Sequence, residues 1–305
     1  MTTRRQFVGT GIAALVTCRL AWAAKQEKLP LAFSTLGCPK WELTKILEFA
    51  QTNGFAAVEL RGLMGTLDLP SRPEFAPERI GQTKREIADH GIKIACVSSS
   101  TELHVADPAK REQGIADGKR FIDLAAALGA PNVRVFGNKF EGGTREEVIA
   151  RVALGMHEMA EYAGPRGVTV IIESHGDFVD SPTLNEVLTR AQSDHVGLLW
   201  DAHHTFVDGH EPPSRTVAEL GRWIRHTHLK DSVQEGKERK YVLPGKGEVP
   251  MKAQVEALRR IDYKGYYCFE WEKVWHPDLL EPEAAFPEYV KVMSNYLAEK
   301  QVSRY

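Results

Sequence analysis

Apolar and polar residues along this chain follow two periods. Short runs of about five apolar residues, rich in β-branched and aromatic side chains, read as strands buried on both faces. They recur eight times, at Leu31–Leu36, Ala56–Arg61, Ile92–Ser98, Asn132–Phe136, Val168–Glu173, Val196–Asp201, Ile224–His228 and Tyr266–Glu270. Helical spacing fills the intervals at Trp41–Asn53, Pro77–His90, Pro108–Leu128, Arg145–Ala163, Thr183–Ala191, Thr216–Leu220 and Val249–Arg260, with Pro282–Gln301 after the last strand. Such alternation predicts a parallel sheet with right-handed crossovers. Gly54, Gly91, Gly129 and Gly167 fall where helix C-caps belong, just before strands two to five. No linker, composition shift or repeat beyond the βα unit divides residues 30–301. Eight such units predict an α/β fold, a single-domain (β/α)8 TIM barrel with its site at the C-terminal strand ends. An open doubly wound sheet would want a Gly-rich phosphate turn after the first strand, and Ser34-Thr-Leu-Gly-Cys-Pro39 is not one.

Four consecutive runs end in a polar residue: Glu173, Asp201, His228 and Glu270, spaced 28, 27 and 42 residues apart. Taken singly, an acid at a strand end caps the next helix, and a lone histidine is a core side chain. Jointly, four uncompensated polar groups at neighbouring strand ends would be costly to bury. A cation between them removes that cost, and an oxygen and nitrogen donor set suits a divalent metal ion.

The segments Glu59-Leu-Arg61, Glu173-Ser-His175-Gly, Asp201-Ala-His-His204, His228-Leu-Lys-Asp231, Leu243-Pro-Gly-Lys-Gly247 and Phe269-Glu270-Trp-Glu stand around these positions. In order and strand placement they resemble the xylose isomerase-like superfamily of TIM barrels, often labelled sugar phosphate isomerases/epimerases. The likeness spans roughly residues 30–300. It implies one Mn²⁺, Mg²⁺, Co²⁺ or Zn²⁺ ion held by Glu173, Asp201, His228 and Glu270. It also implies a ketosugar isomerase or epimerase that transfers a proton through a metal-stabilised enediolate, with Glu173 and Glu270 as the catalytic bases. The same enediolate can expel a β-substituent, so a lyase or hydratase acting on keto-glycosides is the alternative, ahead of a non-catalytic sugar-binding barrel. The abasic-site endonuclease branch needs extra histidines, whereas strands three and four end in Ser98-Ser-Ser and Phe136-Gly-Asn.

For substrate contacts the resemblance points to Glu59, His175, His204 and Lys230. Glu59 reads as a rim carboxylate with Arg61 as its structural partner, and His175 returns to the inner side by strand alternation. His204 is preferred to His203, and Asp231 stands to neutralise Lys230. Gln234–Pro250 reads as a long loop able to fold over the site. Gly245-Lys-Gly247 lacks the strand-to-helix context of a phosphate loop. Trp271, Trp275 and His276 either line a sugar face or pack in the core.

Composition narrows the partners. The 305 residues carry a formal net charge of −2 and a pI near 6.6, which gives no electrostatic footprint for nucleic acid or an anionic membrane. A small-molecule carbohydrate is the expected partner. No Arg/Lys cluster is visible in the sequence, so an unphosphorylated sugar is expected; oligomeric state is not legible. At the N-terminus, Thr3-Arg4-Arg5-Gln6-Phe7-Val8 precedes an apolar run from Gly9 to Val16 and then Ala21-Trp22-Ala23. This resembles a twin-arginine signal, expected over residues 1–23 with cleavage after Ala23, leaving 24–305 as the barrel. The apolar run is far shorter than the roughly 20 residues of a membrane span. A periplasmic or otherwise exported protein, with the twin-arginine machinery as a partner, is therefore expected. Cys18 would leave with the signal; Cys96 and Cys268 read as core residues, and with Cys38 they make an odd set unsuited to a disulfide framework.

Overall fold

The computed structural model describes residues 28–299. The expected signal segment lies outside the described residues. In chain order the strands are β1 (Leu31–Ser34), β2 (Ala57–Leu60), β3 (Lys93–Glu102), β4 (Asn132–Asn138), β5 (Thr169–Gly176), β6 (Val196–Asp201), β7 (Ile224–Leu229), β8 (Asp231–Glu235), β9 (Glu238–Val242) and β10 (Tyr267–Phe269). Eight of them, β1 to β7 and β10, pair in parallel and close into a barrel in sequential order. The helices are α1 (Leu43–Thr52), α2 (Ile80–Asp89), α3 (Pro108–Leu128), α4 (Arg145–Ala163), α5 (Ser181–Arg190), α6 (Ala202–Val207), α7 (Pro213–Leu220), α8 (Met251–Arg260) and α9 (Pro282–Ala298). The fold is a single-domain TIM barrel. Among the described residues, no helix is long and apolar enough to cross a membrane.

Local chemistry explains where these elements stop. Asp107 caps α3 by accepting from the Lys110 amide, Pro108 opens the helix, and Gly129 closes it in the left-handed region at φ 75°. Thr144 and Glu147 form a reciprocal capping box at the start of α4. Gly54, Gly91 and Gly167 likewise hold positive φ at the expected C-caps.

Alternation along each strand sorts the side chains. Odd-numbered β5 residues Ile171, Glu173 and His175 share one face, and Ile171 clusters there with Cys96 of β3 and Leu199 of β6. That face is the barrel lumen. Deeper in, Ala32, Ala57, Ala95 and Cys268 fill the lumen with small side chains. The opposite face, with Val170 and Ile172, joins the large cluster beneath the helices. A register shift in the β2–β3 pairing, between Val58 and Glu59, lets both Ala95 and Cys96 point inward.

Two elements differ from the expectation. The segment expected as a loop after strand seven begins with the β8–β9 hairpin, which pairs Asp231 with Val242 through to Glu235 with Glu238 and turns at Gly236, φ 61°. Its charged strands give no apolar run. A six-residue helix, α6, follows β6 directly.

Candidate active site

The luminal faces of four strand ends bring the expected ligands together. One donor atom from each of Glu173, Asp201, His228 and Glu270 lies within 4.8 Å of all the others, and all four side chains are buried. Parallel register does this: Asp201 lies opposite His228, and Cys268, two residues before Glu270, lies on the other side of His228. His228 Nδ1 stands 3.2 Å from Glu270 Oε1, 3.4 Å from Glu173 Oε1 and 3.8 Å from Asp201 Oδ2. It nevertheless makes no hydrogen bond, so an aromatic nitrogen faces three carboxylates without a proton well placed for any of them. That orphaned buried atom, with three carboxylates around it, is a donor set that a divalent ion would fit.

Glu59 sits behind this group. The resemblance points to a rim contact with substrate, but the side chain is fully buried and does not line the cavity. His228 Nε2 donates to Glu59 Oε2 at 2.7 Å, His226 Nε2 donates to the same oxygen at 2.9 Å, and Ser34 Oγ donates to Oε1 at 2.8 Å. Glu59 lies one layer below the rim, where it holds the His228 ring with Nδ1 toward the carboxylates. Burial opposes its charge, yet His228 and His226 pull its carboxyl well below the usual range.

Asp201 serves two neighbours. Its Oδ1 accepts from the amides of His203 and His204, both at 3.0 Å, capping α6, while Oδ2 turns to the ligand group. Lys230 likewise departs from its expected role as a substrate contact: its fully buried ammonium reaches Asp201 Oδ2 at 2.7 Å, Glu272 Oε1 at 2.7 Å and Glu270 Oε2. The lysine is consumed by three carboxylates, and burial is outweighed by their charges, which raise its pKa well above normal. Asp231 does not neutralise it. Asp231 accepts from the Ser232, Gly247 and Val249 amides at 2.9, 2.8 and 3.2 Å and pins the chain after the hairpin. A Cβ on Gly247 would stand 2.1 Å from Asp231 Oδ1, which accounts for the glycine without any phosphate.

A cavity of about 300 Å³ opens above the ligand group and is lined by Arg61, Arg134, Glu173, His175, His204 and Glu270, among others. His175 donates from Nδ1 to Asn138 Oδ1 at 2.8 Å, and burial lowers its pKa. His204 donates from Nδ1 to Asp208 Oδ2 at 2.8 Å and carries Nε2 3.6 Å from Asp201 Oδ2. Burial pulls His204 down, but Asp201 and Asp208 more than offset it, so its pKa is raised. His203 turns away to Ser232 Oγ at 2.8 Å. Of the aromatic residues after Glu270, Trp271 is core and donates to the Leu280 carbonyl, His276 packs on Tyr241, and Trp275 lines the cavity while half exposed.

Arg134 and His226 do not follow from the strand-end pattern. Arg134 is 1% exposed, its Nε lies 3.2 Å from Glu173 Oε2 and its guanidinium lies 3.8 Å over the Phe136 ring. The signal was present as a charge between Val133 and Val135, on the face shared with Asn132 and Phe136. His226, two residues before His228, follows the same rule. Glu173 is buried, which opposes its charge, but Arg134 and His228 lower its pKa; Glu270 is lowered to about 2 against burial by His228 and Lys230.

The sequence profile of the xylose isomerase-like TIM barrel family matches residues 47–296. An inosose dehydratase from Glaesserella parasuis serovar 5 (strain SH0165) is 26% identical over 312 residues, covering 90% of this chain and 98% of that protein. A fructoselysine 3-epimerase from Shigella flexneri is 24% identical over 174 residues, covering 55% of this chain and 62% of its own length. Among solved structures, that of an IOLI protein with a binding zinc atom superposes with a TM-score of 0.75 at 20% identity, over 89% of this chain and all of that one.

Proposed function

Because the chain belongs to the xylose isomerase-like TIM barrel family, we propose that it is a divalent-metal-dependent enzyme that moves the proton α to the carbonyl of a sugar or inosose. The observation that carries this reading is the cluster of Glu173, Asp201, Glu270 and the orphaned His228 Nδ1 at the floor of a polar cavity. Glu173, Asp201, His228 and Glu270 would hold the ion, which when bound acts as a Lewis acid toward charge developing on the substrate oxygen.

The protein's own residues supply the proton chemistry. Glu173 on β5 and Glu270 after β10 approach His228 from different strands, so a carbon lying over the cluster meets a carboxylate on either side. One takes the α-proton; that same acid returning it to the neighbouring carbon gives isomerisation, whereas the other acid, once it has gained a proton from solvent, delivers it to the opposite face and gives epimerisation. Arg134 beside Glu173 and Lys230 beside Glu270 keep both acids ionised and therefore able to accept.

A dehydratase is the second reading, and His204 favours it. Its Nδ1–H is fixed on Asp208, its pKa is raised and its ring lines the cavity, so it is placed to protonate a departing hydroxyl. The near-full-length similarity to an inosose dehydratase supports the same outcome. Incubation with ketohexoses and inosose in D₂O, followed by NMR, separates the two. Deuterium at the α-carbon with an intact skeleton supports epimerisation, loss of water supports dehydration, and no exchange on any of them refutes both.

A further inference from the structure

We propose that Arg61 and Arg134 form an oxyanion subsite, and that the substrate of this site carries an anionic group, a carboxylate or phosphate, beside the carbon that reaches Glu173 and Glu270. The proposal rests on the functional reading above and narrows its substrate class. Arg61 follows β2 and Arg134 lies on β4, 73 residues apart in sequence, and both line the same cavity. This places together two cations that no local run of the sequence reveals.

Neither guanidinium has all its donors met by the protein. Arg61 is 6% exposed, and its buried Nη1 has no hydrogen-bond partner among the described residues. The expected partner, Glu59, is committed to Ser34, His226 and His228. Arg134 is more buried still; its Nη1 is also without a partner, and Nε approaches Glu173 Oε2 without hydrogen-bond alignment. Arginine stays charged and offers five donors, so unmet donors at nine-tenths burial are a standing cost. Lys230 shows the contrast, with three carboxylates around its ammonium. An oxyanion in the cavity would meet the fork geometry of the two planes and relieve their mutual repulsion. A neutral hydroxyl would answer one donor but not the charge.

Isothermal titration calorimetry of the metal-loaded protein with D-glucuronate, D-glucose 6-phosphate and D-glucose tests this, using wild type, Arg61→Gln and Arg61→Lys. A hydrogen bond to a charged group is strong enough that at least one anion should bind about tenfold or more tighter than glucose. Arg61→Gln should erase that margin and Arg61→Lys should keep part of it, with folding checked by circular dichroism. A larger margin for glucuronate identifies the anion as carboxylate, and a larger one for the phosphate ester identifies it as phosphate. Equal affinity for all three, no anion binding, or a margin that survives Arg61→Gln overturns the subsite. Deuterium exchange on neutral inosose, measured in parallel, reports the functional reading separately: exchange without an anion margin sinks only the subsite, and an anion margin without exchange on any substrate sinks only the chemistry.

Discussion

Glu59→Gln tests whether a residue one layer below the cavity governs the metal site. The substitution keeps volume and shape. A glutamine carbonyl can accept from His226 and His228, while its amide replaces the oxygen that accepts from Ser34 Oγ, so that hydroxyl must turn its proton elsewhere. The negative charge beneath His228 is lost without a change of volume. A hydrogen bond to a charged group contributes about 1.5–3 kcal/mol against about 1 kcal/mol for a neutral one. Weakening the His228 bond, with a share from His226, therefore costs on the order of 1–3 kcal/mol. Loss of an outer carboxylate behind a metal-bound histidine lowers metal affinity about 10–100-fold, or about 1.4–2.7 kcal/mol at 1.36 kcal/mol per decade. The two routes agree. Mn²⁺ or Zn²⁺ affinity, measured by competition with a chromophoric chelator, should fall within that range while far-UV circular dichroism stays unchanged. An affinity within about twofold of wild type would refute the orienting role assigned to Glu59.

Three further outcomes follow from the same structure. Glu173→Gln should reduce α-proton exchange by about 10²–10⁴-fold, read by NMR in D₂O, because a neutral amide cannot take the proton; undiminished exchange would remove Glu173 as a base. Cys38, Cys96 and Cys268 are buried free thiols, and burial raises the pKa of each, so none of these three should react with Ellman's reagent at neutral pH until the protein is unfolded. Phe286 on α9 is fully buried, with its ring 4.4 Å from Phe33 and 2.9 Å from where a Cβ on Gly37 would stand. Phe286→Ala should cost about 3–5 kcal/mol in denaturant unfolding, and a loss under 1 kcal/mol would show that α9 does not anchor the barrel as packed here.

The barrel was legible because parallel strands buried on both faces are written as continuous apolar runs, and because caps such as Asp107, Thr144 and Gly129 mark helix ends. The α3 and α4 boundaries match the expectation for that reason. The four strand-end residues were legible because each breaks an apolar run at its C-terminal end. Depth within the lumen was not. Whether Glu59 reaches the rim or lies beneath His228 depends on strand stagger and on the β2–β3 register shift, neither of which has a local signature. Arg61 and Arg134 meet only through barrel closure, so the expectation of no cationic cluster at the site is corrected by the structure. The hairpin has no apolar signature because its strands, Asp231–Glu235 and Glu238–Val242, are too charged to read as buried, and α6 is too short for helical periodicity.

Elemental analysis of the purified protein beside His228→Ala tests the central claim most directly. Close to one equivalent of Mn, Co, Zn or Mg in the wild type, lost in a His228→Ala variant that keeps its circular dichroism spectrum, is the predicted result. A folded wild type that neither contains a divalent metal nor takes one up on dialysis would contradict the account.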